Sequence, residues 1–444
     1  MLKFPPGLNE QTVRDLSALK NEPTWLLDMR LEAYHQFLAM PLPDFGPDLD
    51  FLDFQNICYF ARPVKKTVNS WKKLPKNIRE TYDRIGLPEA EKQYLGGVGA
   101  QYNSEVVYQN LKTEWDAKGV IFLDTDTAVQ KYPELFREYF GKVVASSDNK
   151  FAALNTAVWS GGSFIYVPKG VKLTAPLQAY FRINIANLGQ FERTLIIADE
   201  GAEVHYVEGC TAPIYSTDSL HSAVVEVVAK RGSRVRYTTI QNWSTNVVNL
   251  TTQRMLVESN AIGEWIDGNI GSKITMKYPA VVLTGEGARG DILSLAIAKN
   301  GQIQDNGGKA VHLAPNTSST IVSKSVSIDG GICSYRGKIA IGRDAANAKT
   351  STKCDALLMD ERSISNTFPN NEIKRADASI AHEASVSRIS DEQLFYLMSR
   401  GISENEALSM IVNGFVEPII KNIPLEYAAE LNRLIDLDME GSVG

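Results

Sequence analysis

Between residues 202 and 347 a small residue returns at each turn between β-rich stretches, at Ala202, Ser233, Ala261, Ala288, Thr317 and Asn347. The spacings are 31, 28, 27, 29 and 30 residues. Each interval is filled with short alternating runs rich in β-branched and aromatic residues, such as 193–198, 204–207, 223–228 and 235–240. One such coil cannot bury its own inner face, and stacking several coils builds a continuous core. The spacing therefore favours a parallel β-helix. An antiparallel sandwich stays open at this point, although its strands would recur more closely and through hairpin turns.

The flanks have a different texture. Residues 10–20, 23–40 and 75–85 carry apolar residues at helical intervals, the last starting near Pro75 and stopping at Gly86. After Arg388, Ser390 with Gln393 and Ser403 with Glu406 have capping-box spacing, with stops expected at Gly401 and Gly414 and a third helix opening at Pro424. These C-terminal helices either cap the last coil or form a docking surface. The expected organisation is a helical region over 1–90, a mixed α/β lead-in over 91–150, the β-helix over 151–388 and a helical region over 389–444.

Several functions are excluded by what the chain lacks. The formal net charge of −6, with basic residues spread thinly, argues against a nucleic-acid partner. No apolar run approaches the roughly 20 residues of a membrane span, and residues 1–9 show no apolar signal segment. Four cysteines scattered over 444 residues are no disulfide framework and suit a reducing compartment, so a cytoplasmic location is expected. Gly285, Gly287 and Gly290 match a dinucleotide fingerprint as a string, but an alternating run follows where a helix should open. Gly308-Lys309-Ala310 lacks the glycine spacing and hydroxyl of a phosphate loop, and neither HExxH nor CxxC occurs.

Chemistry can reside in Cys210 and Cys354, both within the β-rich region, and in His382-Glu383 near its end. Thiolates are the usual ligands of iron–sulfur clusters, and an imidazole or carboxylate can replace one where the cluster is labile. The plainer alternative is that each cysteine is a small buried hydrophobe. Being adjacent, His382 and Glu383 point to opposite faces of a strand, so only one can share a face with Cys354. Cys58 and Cys333 read as structural.

The strings GVGAQYNSEVV (97–107), FERTLIIADEG (191–201), YVEGCTAP (206–213), QNW (241–243), HEA (382–384), QLFY (393–396) and GISENEALSMIVNGF (401–415) closely resemble the SufB family. The likeness runs collinearly from about residue 86 to the C-terminus. It implies a scaffold, not a stand-alone enzyme, on which iron and sulfide are assembled, with a right-handed parallel β-helix core. It also implies that the C-terminal helices bind the SufC ATPase and that the β-helix end pairs with SufD or a second SufB copy. Sulfur from a donor system would enter at Cys210 and pass through the interior to Cys354. Arg182, Asn184, Gln241 and Trp243 would line the passage, and Glu383 with His382 would complete the cluster site. A reduced flavin in the complex belongs to the same picture. Two departures stand out: Gln253 replaces a basic lining residue, and Ala381 stands where relatives often carry Glu. A SufD-like partner without its own cluster is the first rival, disfavoured by Cys354 and Glu383. An exported β-helix polysaccharide lyase or hydrolase is the second, disfavoured by the missing signal segment and the lack of paired Asp rows along successive coils. Deleting everything after Ser390 is expected to abolish partner binding and leave the β-helix folded.

Overall fold

The computed structural model describes residues 2–64, 67–84, 86–185, 187–212 and 218–422. Its centre is a β-solenoid of about 8 turns, with helices at both ends of the chain. Two parallel sheets face each other. The first stacks Gly97–Tyr102, Leu177–Arg182, Glu203–Thr211, Arg234–Trp243, Ile262–Gly271, Arg289–Ala298, Ser318–Ser327, Lys349–Leu358 and Ser379–Arg388. The second runs from Ser163–Val167 through Arg193–Ala198, Val224–Ala229 and Val247–Val257 to Ile303–His312, Ile332–Ile341 and Ile364–Ile373. The pairing is parallel coil to coil, so the sandwich alternative is excluded.

The period read from the sequence has a backbone cause. Gly201, Gly232, Asn260, Gly287, Asn316 and Asn347 all have positive φ, a conformation that glycine and asparagine adopt at least cost. The residue after each, Ala202, Ser233, Ala261, Ala288, Thr317 and Ala348, is buried under the next turn, where a larger side chain would not fit. The last small position is thus Ala348, because Asn347 supplies the left-handed turn. Gly287 belongs to this column, and its fingerprint-like string opens the strand Arg289–Ala298.

At the first end the sheets finish in antiparallel strands, Glu105–Leu111 and Ile121–Asp124. Helices Glu10–Leu19 and Thr24–Ala39 fall where the apolar spacing places them. They pack with the helix Lys150–Val158 on the outer face of the second sheet. That helix escapes sequence reading because it is buried on every side and shows no polar stripe. It is clamped from below: Glu226 accepts the N–H groups of Gly141, Val143 and Val144 at 3.0 Å, and Arg193 pairs with Glu226 at 2.7 Å, both side chains fully buried.

The two described C-terminal helices do not cap the last coil. Helix Glu404–Ile420, with a complete Ser403–Glu406 capping box, runs straight past Gly414 and folds back along the solenoid. Its Val412, Val416 and Ile419 cover Val207, Ile240, Ile266, Ile270 and Leu295 on the outer face of the first sheet. Gly414 continues the helix because that buried stripe outweighs the roughly 1 kcal/mol a mid-helix glycine costs. The expected helix from Pro424 lies outside the described residues. Strands Ile364–Ile373 and Ser379–Arg388, the last of each sheet, are therefore left exposed.

Candidate functional site

Parallel register stacks equivalent residues of successive coils into columns, and the columns lining the interior divide by chemistry. One is aromatic and aliphatic: Tyr206, Tyr237, Trp265, Ile292 and Ile321. Two residues along each strand, the next is polar throughout: Glu208, Thr239, Asp267, Ser294, Ser323 and then Cys354. The column beyond starts at Cys210 and continues through Gln241 and Asn269. Facing them on the second sheet are His221, Asn249, Thr275 and Gln304 in one column, and Thr251, Lys277, Asn306 and Tyr335 in another. A polar ladder thus joins the coil of Cys210 to the coil of Cys354, five strand spacings or about 24 Å away. Gln253, Thr275, Ser294 and Asn306 point buried polar atoms into it without a protein partner.

At the Cys210 end the ladder is densely connected. Tyr237 donates to Glu208 at 2.6 Å, and the Cys210 thiol lies 3.7 Å from the other Glu208 oxygen. His221 bridges Glu192 and Asn249, the latter at 2.7 Å, and Asn249 donates to Gln241 at 2.5 Å. The Trp243 ring packs against His221, tilted by 42° with centroids 4.6 Å apart. Burial, helped by the charge of Glu192, lifts Glu208 to about 7. Burial and the two glutamates push the Cys210 thiol far above its ordinary value. Burial opposes a charge on His221, but Glu192 and Asn249 outweigh it and raise its pKa. Two coils on, Lys277 and Asp267 form a buried ion pair in the same interior. No cation stands at position 253, but Lys277, paired in register with Thr251, supplies one beside it.

At the other end Cys354 is only 5% exposed, and burial raises it to about 12. His382 Nε2 lies 4.0 Å from its sulfur. Glu383 is on the opposite face of the strand and pairs with Lys353 at 3.5 Å. The fold therefore brings His382 to Cys354, and Glu383 to the outside of the same edge strand. Gln241, Trp243 and Gln253 are buried in the interior. Arg182 shares the register of Thr211, on the outer face, while Phe181 faces inward beside Cys210. Asn184 follows that strand, its N–H held by Asn103 at 2.8 Å. Cys58 and Cys333 are buried, Cys333 in the column of Gln304. Glu208 was legible as an i−2 neighbour of Cys210; Glu192, His221 and Lys277 were not, because only coil register brings them there.

Among the described residues the solenoid thus encloses a polar interior between two buried thiols, Cys210 and Cys354. Residues 181–415 match the family described as SUF system FeS cluster assembly, SufBD core domain, and residues 98–179 match the SufBD protein N-terminal region. The chain is 59% identical over 438 residues to iron-sulfur cluster assembly protein SufB of Bacillus subtilis strain 168, covering 99% of this chain and 94% of that one. An iron-sulfur cluster assembly SufBD family protein of Staphylococcus epidermidis is 60% identical with the same coverage, and one from Staphylococcus aureus strain USA300 is 59% identical. The chain belongs to the SufBD family of iron–sulfur cluster assembly proteins.

Proposed function

We propose that this chain is the cytoplasmic scaffold of its assembly system, receiving sulfur at Cys210 and building a cluster at Cys354. The observation that carries the proposal is the unbroken polar ladder from Glu208 and Cys210 to Cys354. Sulfur bound at the Cys210 thiol is shielded there from bulk reductants, and amides, hydroxyls and Lys277 line the interior between it and Cys354. Cys354 with His382 gives one thiolate and one imidazole, a sparse ligand set suited to a cluster that must be handed on. Glu383 reaches that cluster only from the open edge, which fits a site completed when a second chain docks there.

Both partner surfaces follow from the same reading. The edges of Ile364–Ile373 and Ser379–Arg388, unpaired among the described residues, carry exposed Phe368, Ile373, Ile380 and Val386, a surface for SufD or a second copy of this chain. Phe395 (72% exposed), Tyr396, Met398 and Met410 form an apolar patch on the C-terminal helices, which we assign to the SufC ATPase. That ATPase, not this chain, would hydrolyse the nucleotide.

The deciding experiment is anaerobic reconstitution with iron and sulfide, read by visible absorption and Mössbauer spectroscopy. A cluster on the wild type that is lost in Cys354→Ala is expected. The same cluster on both chains would move the site elsewhere, and none on either would favour a SufD-like role.

A further inference from the structure

The sulfur path uses only the thiol of Cys210, yet three potential ligands meet there. Oxygens of Glu192 and Glu208 and the sulfur of Cys210 all lie within 4.8 Å of one another. They come from both sheets: Glu208 and Cys210 from the strand Glu203–Thr211, and Glu192 from the residue before Arg193–Ala198. All three side chains are at most 2% exposed. His221 orients Glu192 through one carboxylate oxygen, and is itself fixed by Asn249 and Gln241. The second oxygen, Oε2, is buried with no hydrogen-bond partner. An orphaned buried carboxylate oxygen is costly unless something meets it.

We infer that Glu192, Glu208 and Cys210 form a binding site for a divalent first-row transition cation inside the solenoid, at the opposite end of the ladder from Cys354. One soft and two hard donors suit iron(II), cobalt(II) or zinc, and three protein ligands leave a coordination position open. His221 acts as the outer-shell group that holds the carboxylate in place. The assignment of the natural cation as iron(II) rests on the proposed assembly role; the site itself rests on its geometry. In that role iron and sulfur would meet the chain at the same end of the interior.

Anaerobic cobalt(II) titration of the full chain tests this without cluster formation. One equivalent is expected to give a thiolate-to-cobalt charge-transfer band that Cys354→Ala keeps and Cys210→Ser loses. Glu192→Gln should weaken binding at least about ten-fold. X-ray absorption at the cobalt edge of the Cys354→Ala chain should show one sulfur and at least two oxygen donors, which decides the matter even if Cys210→Ser folds poorly. No binding, or a band lost in Cys354→Ala and kept in Cys210→Ser, would overturn the inference. Cobalt bound at Cys210 in a chain that assembles no cluster at Cys354 would leave this site standing and remove only the assembly reading.

Discussion

At the scale of single residues, the interior balances polar groups against one another, and removing one exposes its partner. Lys277 and Asp267 are both essentially unexposed. Lys277→Met should destabilise the fold by about 3–5 kcal/mol, because it strands a carboxylate in the core. Chemical denaturation measures this, and adding Asp267→Leu should recover part of the loss. Two other histidines are held neutral. His312 is hydrogen-bonded at 2.9 Å to both Thr317 and Ser319, and burial depresses it to about 4. His205 falls to about 4 through burial and the charge of Arg236. A depressed histidine contributes stability in full above its ordinary value of 6.5. As pH falls below that, the unfolded chain takes up protons that the native state refuses, so stability drops until about pH 4 and then levels. Urea midpoints measured across this window should fall with pH, and fall less in His312→Gln; equal slopes would rule out His312 as a source.

At the scale of elements, the two described C-terminal helices divide two jobs between them. The inner stripe of the second, Val412, Val416 and Ile419, seals the outer face of the first sheet, while the helix before it presents Phe395 and Tyr396 to solvent. Truncation after Ser390 would therefore uncover Val207, Ile240 and Ile266, and we expect it to cause aggregation instead of leaving a well-behaved solenoid. Phe395→Asp with Tyr396→Ser is the cleaner probe. It should leave the melting temperature within a few degrees and abolish capture of the SufC ATPase in a pull-down; undiminished capture would reassign the patch. On the second sheet, Glu226 ties the 141–144 loop to Arg193. Glu226→Ala leaves a buried guanidinium without its counter-charge and three N–H groups unmatched, and should cost at least about 3 kcal/mol by the same denaturation assay.

At the scale of the whole molecule, the two ends of the solenoid are treated differently. The first is closed by antiparallel strands. Among the described residues the last coil presents two unpaired ten-residue edges, which proteins usually protect or use. If a second copy docks there, Phe368→Lys with Val386→Lys should shift sedimentation of the purified chain toward monomer. A chain that is monomeric before and after the change would leave SufD as the partner for that edge.

The sequence by itself determined the solenoid, because left-handed turns demand Gly or Asn followed by a small residue, and that demand is written every 30 residues or so. It also determined where the N-terminal helices lie, and it singled out Cys210 and Cys354. What it could not contain was register. Whether His382 or Glu383 faces Cys354, that Phe181 and not Arg182 looks inward, and that Lys277 stands near Gln253 all depend on how coils of 27 to 31 residues align with their neighbours. A one-residue slip would turn each of these side chains to the other face. The same holds for Glu192, Glu208 and Cys210, which approach one another only because two sheets close around a shared interior.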